Sequence, residues 1–278
     1  MNNQYSPAGF RFLPPVVKNL LIINGLFFLA TWALQSAYNL DVANLLGLHY
    51  FKSEYFRPYQ FVTYMFIHAE PMHIFYNMFA LWMFGYVLEN IWGPRRFLTY
   101  YLLTGIGAAA VQTFVMWWNI SSIESTAMAF SQAPTLDTFM YFVKHHFPQY
   151  YNNSDTIKNF ISSWSLDPKN PAFFQQSVEY VDQLIKHLID VPTIGASGAV
   201  FGILLAFGMI FPNMLVYIIF FPFFPIKAKW IVIGYGAVEL VSGISNNPSD
   251  NVAHFAHLGG MLFGLILILY WRKKQYLN

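Results

Sequence analysis

Apolar and polar positions along this chain fall into long apolar runs divided by short basic turns and one extended polar stretch. The runs cover about residues 16–35, 72–91, 97–118, 195–211, 228–245 and 252–271. Each approaches the roughly 20 residues that a helix needs to cross a bilayer, so six membrane helices are expected. The first run ends in Trp32 and Gln35 without a small-x-small cleavage pattern, and reads as an anchor rather than a signal peptide. Residues 36–72 form a polar-aromatic connector with short apolar pieces such as Phe61-Val62-Thr63-Tyr64-Met65-Phe66. A Pro-rich aromatic link through Pro225 joins the fourth run to the fifth.

Residues 119–190 differ in kind. They hold seven acidic residues against four lysines, and the spacing of Phe173, Val178, Val181, Leu184, Ile185 and Leu188 predicts an amphipathic helix. The chain therefore divides into a lead with three spans (1–118), an extramembrane, partly helical insertion (119–190), and three further spans with a basic tail (191–278). The insertion reads as a folded cap. A separate ligand site around His145 and His146 is the alternative.

Composition agrees with the pattern. Of 278 residues, 56% are hydrophobic, 20% aromatic and only 10% charged, which marks a polytopic, all-α membrane protein. The net charge of +2 offers no basic patch for nucleic acid, and without cysteine there is no disulfide, thiol nucleophile or Cys-type metal site. Loop charge adds orientation. Arg95 and Arg96, then Lys227 and Lys229, then Arg272-Lys273-Lys274 lie in segments that share one face of a six-span chain. Positive residues mark that face as cytoplasmic, so both termini are inside and the insertion outside. A bacterial cytoplasmic membrane is the expected location.

This topology brings polar groups together. Spans two, four and six all begin at the outer face. His73 with Asn77, Ser197, and His254 with His257 lie near those beginnings. Polar groups inside a membrane are costly and face a cavity or a partner, so their convergence at one depth is a site hypothesis. From Ser197 to Pro212 is 15 residues, or about 22 Å of helix. Against a hydrocarbon core of about 30 Å, that leaves Ser197 recessed by about 8 Å from the outer boundary.

A serine hydroxyl needs a base, which His254 or His257, one helical turn apart, can supply. Gly198 and Gly202 on span four, and Gly260 and Gly264 on span six, form small-xxx-small faces that allow close helix approach. His73 and Asn77, at i and i+4, share a face and can donate hydrogen bonds to an oxyanion together with the Ser197 backbone N–H. No acidic residue lies in the outer halves of spans two, four or six. Glu239 is on span five, and Asp250 is in the next loop. A Ser–His dyad is expected, with no acidic third member.

Gly195-Ala196-Ser197-Gly198, His257-x-x-Gly260-x-x-x-Gly264 and His68-x-x-x-x-His73-x-x-x-Asn77 together resemble the rhomboid intramembrane serine proteases. The resemblance covers about residues 20–270 apart from the insertion. It implies a six-helix rhomboid-like bundle, Ser197 as nucleophile, His257 rather than His254 as base, and His73 and Asn77 at the oxyanion. It also implies membrane-anchored protein substrates cut in or near their transmembrane segments, often beside small residues. No cofactor or metal is implied. Phe201 would stack on the catalytic imidazole where the family often has tyrosine. His68 reads, on its own, as a structural residue bonded to loop backbone, with the placing of a water as the alternative. The insertion is a departure from the family pattern.

Two other functions compete. His68, Glu70, His73, His254 and His257 could surround a cation, but there is no H-E-x-x-H and Ser197 would have no role. A non-catalytic rhomboid-like binder of membrane clients is the other. Such relatives typically lose the serine or the histidine, and this chain keeps both.

Overall fold

A computed structural model describes residues 10–218, 221–245 and 252–276 of the chain. In chain order the helices are α1 (Pro15–Tyr38), α2 (Val42–Leu46), α3 (Gln60–Thr63), a 3-10 turn (Tyr64–Phe66), α4 (Pro71–Trp92) and α5 (Pro94–Gln132). Then follow α6 (Leu136–His146), α7 (Pro148–Asn153), α8 (Asp155–Leu166), α9 (Pro171–Asp190) and α10 (Ser197–Ile210). Two strands, β1 (Leu215–Ile218) and β2 (Phe221–Lys227), precede α11 (Ala228–Ser245) and α12 (His254–Tyr276).

Proline opens α1, α4 and α5, where its missing N–H costs nothing. Among the described residues, three helices (α1, α5 and α12) are long and apolar enough to cross a membrane by length and composition, and α10 is a shorter apolar helix. At 14 residues, α10 is about 21 Å long, well short of a hydrocarbon core of about 30 Å. It packs against α4, α5, α11 and α12, and most of its residues are buried.

Buried polar groups fix the bundle. Both oxygens of the Glu89 carboxylate, on α4, accept the Val16 and Val17 N–H groups at 2.8 Å and so satisfy the exposed start of α1. The Tyr100 hydroxyl on α5 donates to the Gly202 carbonyl of α10 at 2.8 Å. Arg96 lies 4.2 Å over the Trp271 ring, and Arg272 donates to the Met209 carbonyl near the end of α10. The Lys229 N–H bonds the Pro212 carbonyl. All three basic segments thus meet at the end of the bundle opposite Ser197.

The connector 36–70 is structured. Leu48 and Thr193 exchange backbone hydrogen bonds at 2.9 and 2.8 Å, and the Gly195 N–H donates to the Tyr64 carbonyl at 2.9 Å. The Tyr64 hydroxyl in turn donates to the Gly105 carbonyl of α5 at 2.7 Å. The segment that leads into α10 is therefore held by residues more than a hundred positions earlier.

Two features differ from the sequence-based expectation. The link before α11 contains an antiparallel two-stranded ribbon, with Leu215 opposite Lys227 and Val216 opposite Ile226. In addition, α5 does not stop at Trp118 but runs on to Gln132, a single 39-residue helix that enters the insertion. There Phe130 joins a separate apolar core with Phe139, Phe142, Phe160, Trp164 and Val181. Ser53 donates to Asp190 at 2.6 Å and Lys52 pairs with Glu124 at 2.7 Å, which docks the insertion on the connector. Trp164 is fully buried and meets the rings of Phe139, Phe160, Phe173 and Phe174. Trp164→Ala should cost the insertion about 3–5 kcal/mol. Limited proteolysis should then cut within 133–190 while the membrane bundle stays intact.

Candidate active site

Ser197 is the first residue of α10. Its preceding residue, Ala196, makes no side-chain cap, and the serine hydroxyl is not spent on capping the helix. Instead its Oγ lies 2.7 Å from Nε2 of His257, on the first turn of α12. Ser197 is half-buried and His257 is buried.

Close helix approach makes that contact possible. A Cβ on Gly260 would collide with the Gly198 carbonyl, so the α10 and α12 backbones touch directly. One and two turns from the paired residues, Gly202 and Gly264 continue the seam, where a Cβ on Gly264 would lie 3.4 Å from the Gly202 Cα. Gly198 itself faces Ala108 of α5, leaving no room for a larger residue. Phe201, one turn beyond the serine, stacks on His257 with ring centroids 4.2 Å apart and planes 5° from parallel. That stack fixes the plane of the imidazole.

His73 and Asn77 sit in the N-terminal half of α4. The Nε2 atom of His73 would lie 2.7 Å from a Cβ built on Gly195, and Ser197 Oγ 3.8 Å from the same point. Both groups therefore flank the Gly195 α-carbon, which has φ +119°, a conformation that glycine adopts readily. Asn77 is buried and donates one amide N–H to the His73 carbonyl at 3.0 Å, leaving its second N–H for another acceptor. His68, in the loop before α4, is buried with its ring edge-on to His73 at 4.9 Å. Ser197, His257, His73, Gly195 and Phe201 thus cluster at the N-terminal end of α10, with His68 against His73 and Asn77 one turn further along α4.

His254 is engaged elsewhere. Its Nδ1 lies 2.6 Å from Oε2 of Glu239, on α11. The same oxygen is 2.9 Å from Nδ1 of His257. An acidic residue therefore reaches the imidazole from span five, against the expectation that none would. An acid inside an apolar run was the signal for it; its helix partner was not readable from sequence. Asp250 lies outside the described residues.

Glu239, His254 and His257 are also the group of possible metal donors among the described residues, their ligand atoms within 4.8 Å of one another. This set differs from the one expected, since His68, Glu70 and His73 are not in it. Ligands sharing a tetrahedral ion at about 2.0–2.2 Å from each would be about 3.3 Å apart. Contacts of 2.6 and 2.9 Å are hydrogen-bond distances instead. In the insertion, His145 and His146 contact each other at 4.8 Å and stack on or tilt against Tyr141 and Phe142.

The model of the Rhomboid domain matches residues 55–119 and 145–274, which is most of the chain and includes every element of this site. The chain belongs to the rhomboid family. The break in the match, 120–144, falls in the C-terminal part of α5 and in α6. Among curated proteins the rhomboid chain is 38% identical over 72 residues to "Rhomboid-like protein 11, chloroplastic" of Arabidopsis thaliana. That match covers 26% of this chain and 26% of the relative, so it spans about a quarter of the relative's length. A rhomboid with these apolar helices is an integral membrane protein, and family membership supports intramembrane protease activity.

Proposed function

We propose that this rhomboid is an intramembrane serine endopeptidase that cuts membrane-anchored proteins in or beside their transmembrane segments. The observation that carries the reading is the 2.7 Å contact between Ser197 Oγ and His257 Nε2 at the recessed start of α10. With its proton on Nδ1, His257 accepts the serine proton at Nε2 as Oγ attacks the scissile carbonyl carbon. The carbonyl oxygen becomes an oxyanion within reach of His73, the Asn77 amide and the Ser197 backbone N–H. Collapse breaks the C–N bond, the imidazolium returns its proton to the leaving amine, and an acyl ester remains on Ser197. Water then attacks the ester with His257 again as base.

Six spans, α1, α4, α5, α10, α11 and α12, would cross the bilayer with the basic end cytoplasmic, both termini inside and the insertion outside. Anchored at its basic end, a helix as short as α10 would leave the hydroxyl below the lipid headgroups, where a substrate helix must be partly unwound to present a peptide bond. As an insertion docked on the connector, residues 119–190 stand beside the outer opening and would shape substrate access.

The test is incubation of the reconstituted chain with a panel of single-span substrates. Product from the wild type, absent with Ser197→Ala and His257→Ala, is the expected result. No product from any substrate, and no reaction with a serine-directed fluorophosphonate, would leave the binding-protein reading in its place. Within the enzyme reading, His73→Ala and Asn77→Ala should each lower kcat by about 10²–10³. KM should change little, since these donors act on charge that develops only in the transition state.

A further inference from the structure

The imidazole of His257 is held on two of its edges and one face. Nε2 faces the serine at 2.7 Å, Phe201 covers the ring at 4.2 Å, and Nδ1 lies 2.9 Å from Oε2 of Glu239. The stack and the serine leave one ambiguity. A ring turned over in its own plane would still lie flat on Phe201, but would present carbon where nitrogen is needed. We propose that Glu239 removes that ambiguity as the third, positioning member of a Ser197–His257–Glu239 triad, supplied by the neighbouring helix α11. This inference rests on the protease reading given above.

Several observations support it. The three side chains are nearly closed to solvent, with 9% of Glu239, 12% of His254 and 10% of His257 exposed. Nδ1 of His257 is buried and has no well-aligned hydrogen-bond partner, although the carboxylate oxygen stands beside it. Catalytic hydrogen bonds that are off-line without substrate commonly tighten when one binds. A carboxylate oxygen has two lone pairs, so Oε2 can accept from both Nδ1–H groups at once. A proton held on Nδ1 of His257 leaves the Nε2 lone pair facing the hydroxyl, as the first step requires. When that step makes the ring cationic, the carboxylate is already in place to stabilise it.

The competing explanation is a clamp. Through its shorter, 2.6 Å contact with His254, Glu239 could merely fasten α11 to α12. The two differ in what each substitution removes. Glu239→Gln keeps the volume and one accepting oxygen but removes the negative charge that stabilises the imidazolium. His254→Ala removes the clamp and leaves the carboxylate beside His257.

The experiment measures kcat, KM and the rate of fluorophosphonate labelling in reconstituted wild type, Glu239→Gln and His254→Ala. Glu239→Gln is expected to lower kcat and the labelling rate by about 10–100-fold with KM within threefold. That is less than the roughly 10⁴-fold effect of removing the acid from a soluble triad, because Phe201 still fixes the ring plane. His254→Ala is expected to stay within threefold of wild type. Wild-type kcat in Glu239→Gln would overturn the proposal, as would an equal loss in His254→Ala. If Glu239→Gln does not fold, Glu239→Asp serves instead, since it keeps the charge but withdraws it by one methylene. It should then show a kcat about tenfold lower at unchanged KM, and a wild-type kcat would overturn the proposal. A wild type that neither cleaves nor labels would sink the protease reading itself, a result distinct from an active wild type indifferent to Glu239.

Discussion

Replacing Ser197 by alanine is expected to abolish both substrate cleavage and covalent labelling by a fluorophosphonate, with the fold unchanged. The hydroxyl sits 2.7 Å from His257 Nε2 and makes no capping bond to its own helix, so its removal costs the bundle little. Loss of a serine nucleophile lowers kcat by a factor on the order of 10⁶ in a soluble protease, which puts the variant below detection. Labelling is the sharper readout because it needs no knowledge of the natural substrate. A variant that still labels would mean that the reactive hydroxyl lies elsewhere. Unchanged thermal unfolding in detergent would show that the loss is chemical rather than structural.

The second large effect is expected at Gly260. A single methyl group there meets the Gly198 carbonyl at a distance no real contact allows, and the obstacle is backbone rather than a flexible side chain. Gly260→Ala must therefore separate α10 from α12. Overpacking of this kind costs about 1–3 kcal/mol. The separation opens the gap between Ser197 and His257, which stand one residue before Gly198 and one turn before Gly260. A displacement of about 1 Å in a catalytic pair is worth on the order of 10² in rate. The expected result is a lower unfolding temperature together with a labelling rate reduced about 100-fold. Gly234→Ala is the control, since nothing lies within 4 Å of a Cβ at that position; it should leave both quantities unchanged. Equal behaviour of the two variants would mean that the glycine seam does not set the serine–histidine distance.

The membrane helices were legible because an apolar run has sharp chemical edges. The fifth run, expected at 228–245, has the bounds of α11. The fourth, expected from Gly195, begins at Ser197. The third shows where this logic fails. Composition changes at Trp118, but α5 continues to Gln132 because a helix crossing from lipid to water changes its side chains, not its backbone hydrogen bonds. The edge of an apolar run marks a solvent boundary, and the helix end is a separate matter. The ribbon at 215–227 was hidden for another reason: Pro222 and Pro225 argue against a strand until one knows that it has only a single partner.

Within the site, position along the apolar runs was enough to put Ser197, His73, Asn77 and the two histidines of span six near the starts of three runs. Spacing could not assign neighbours across helices. Glu239 was visible as an acid in an apolar run, but its contact with His257 depends on the rotation of α11 against α12, which no local pattern encodes. The exchange between Leu48 and Thr193, which holds the approach to the serine, is equally non-local.

The uninterrupted α5 has a practical consequence. One rod carries Ala108, wedged against Gly198 beside the nucleophile, and Phe130, embedded in the core of the insertion. Force applied to the outer body is transmitted along a stiff shaft instead of being absorbed by a hinge. Excising residues 119–190 at their compositional edges would saw through that shaft. A deletion that begins after Gln132 keeps it whole, and is the cleaner way to ask what the outer body contributes.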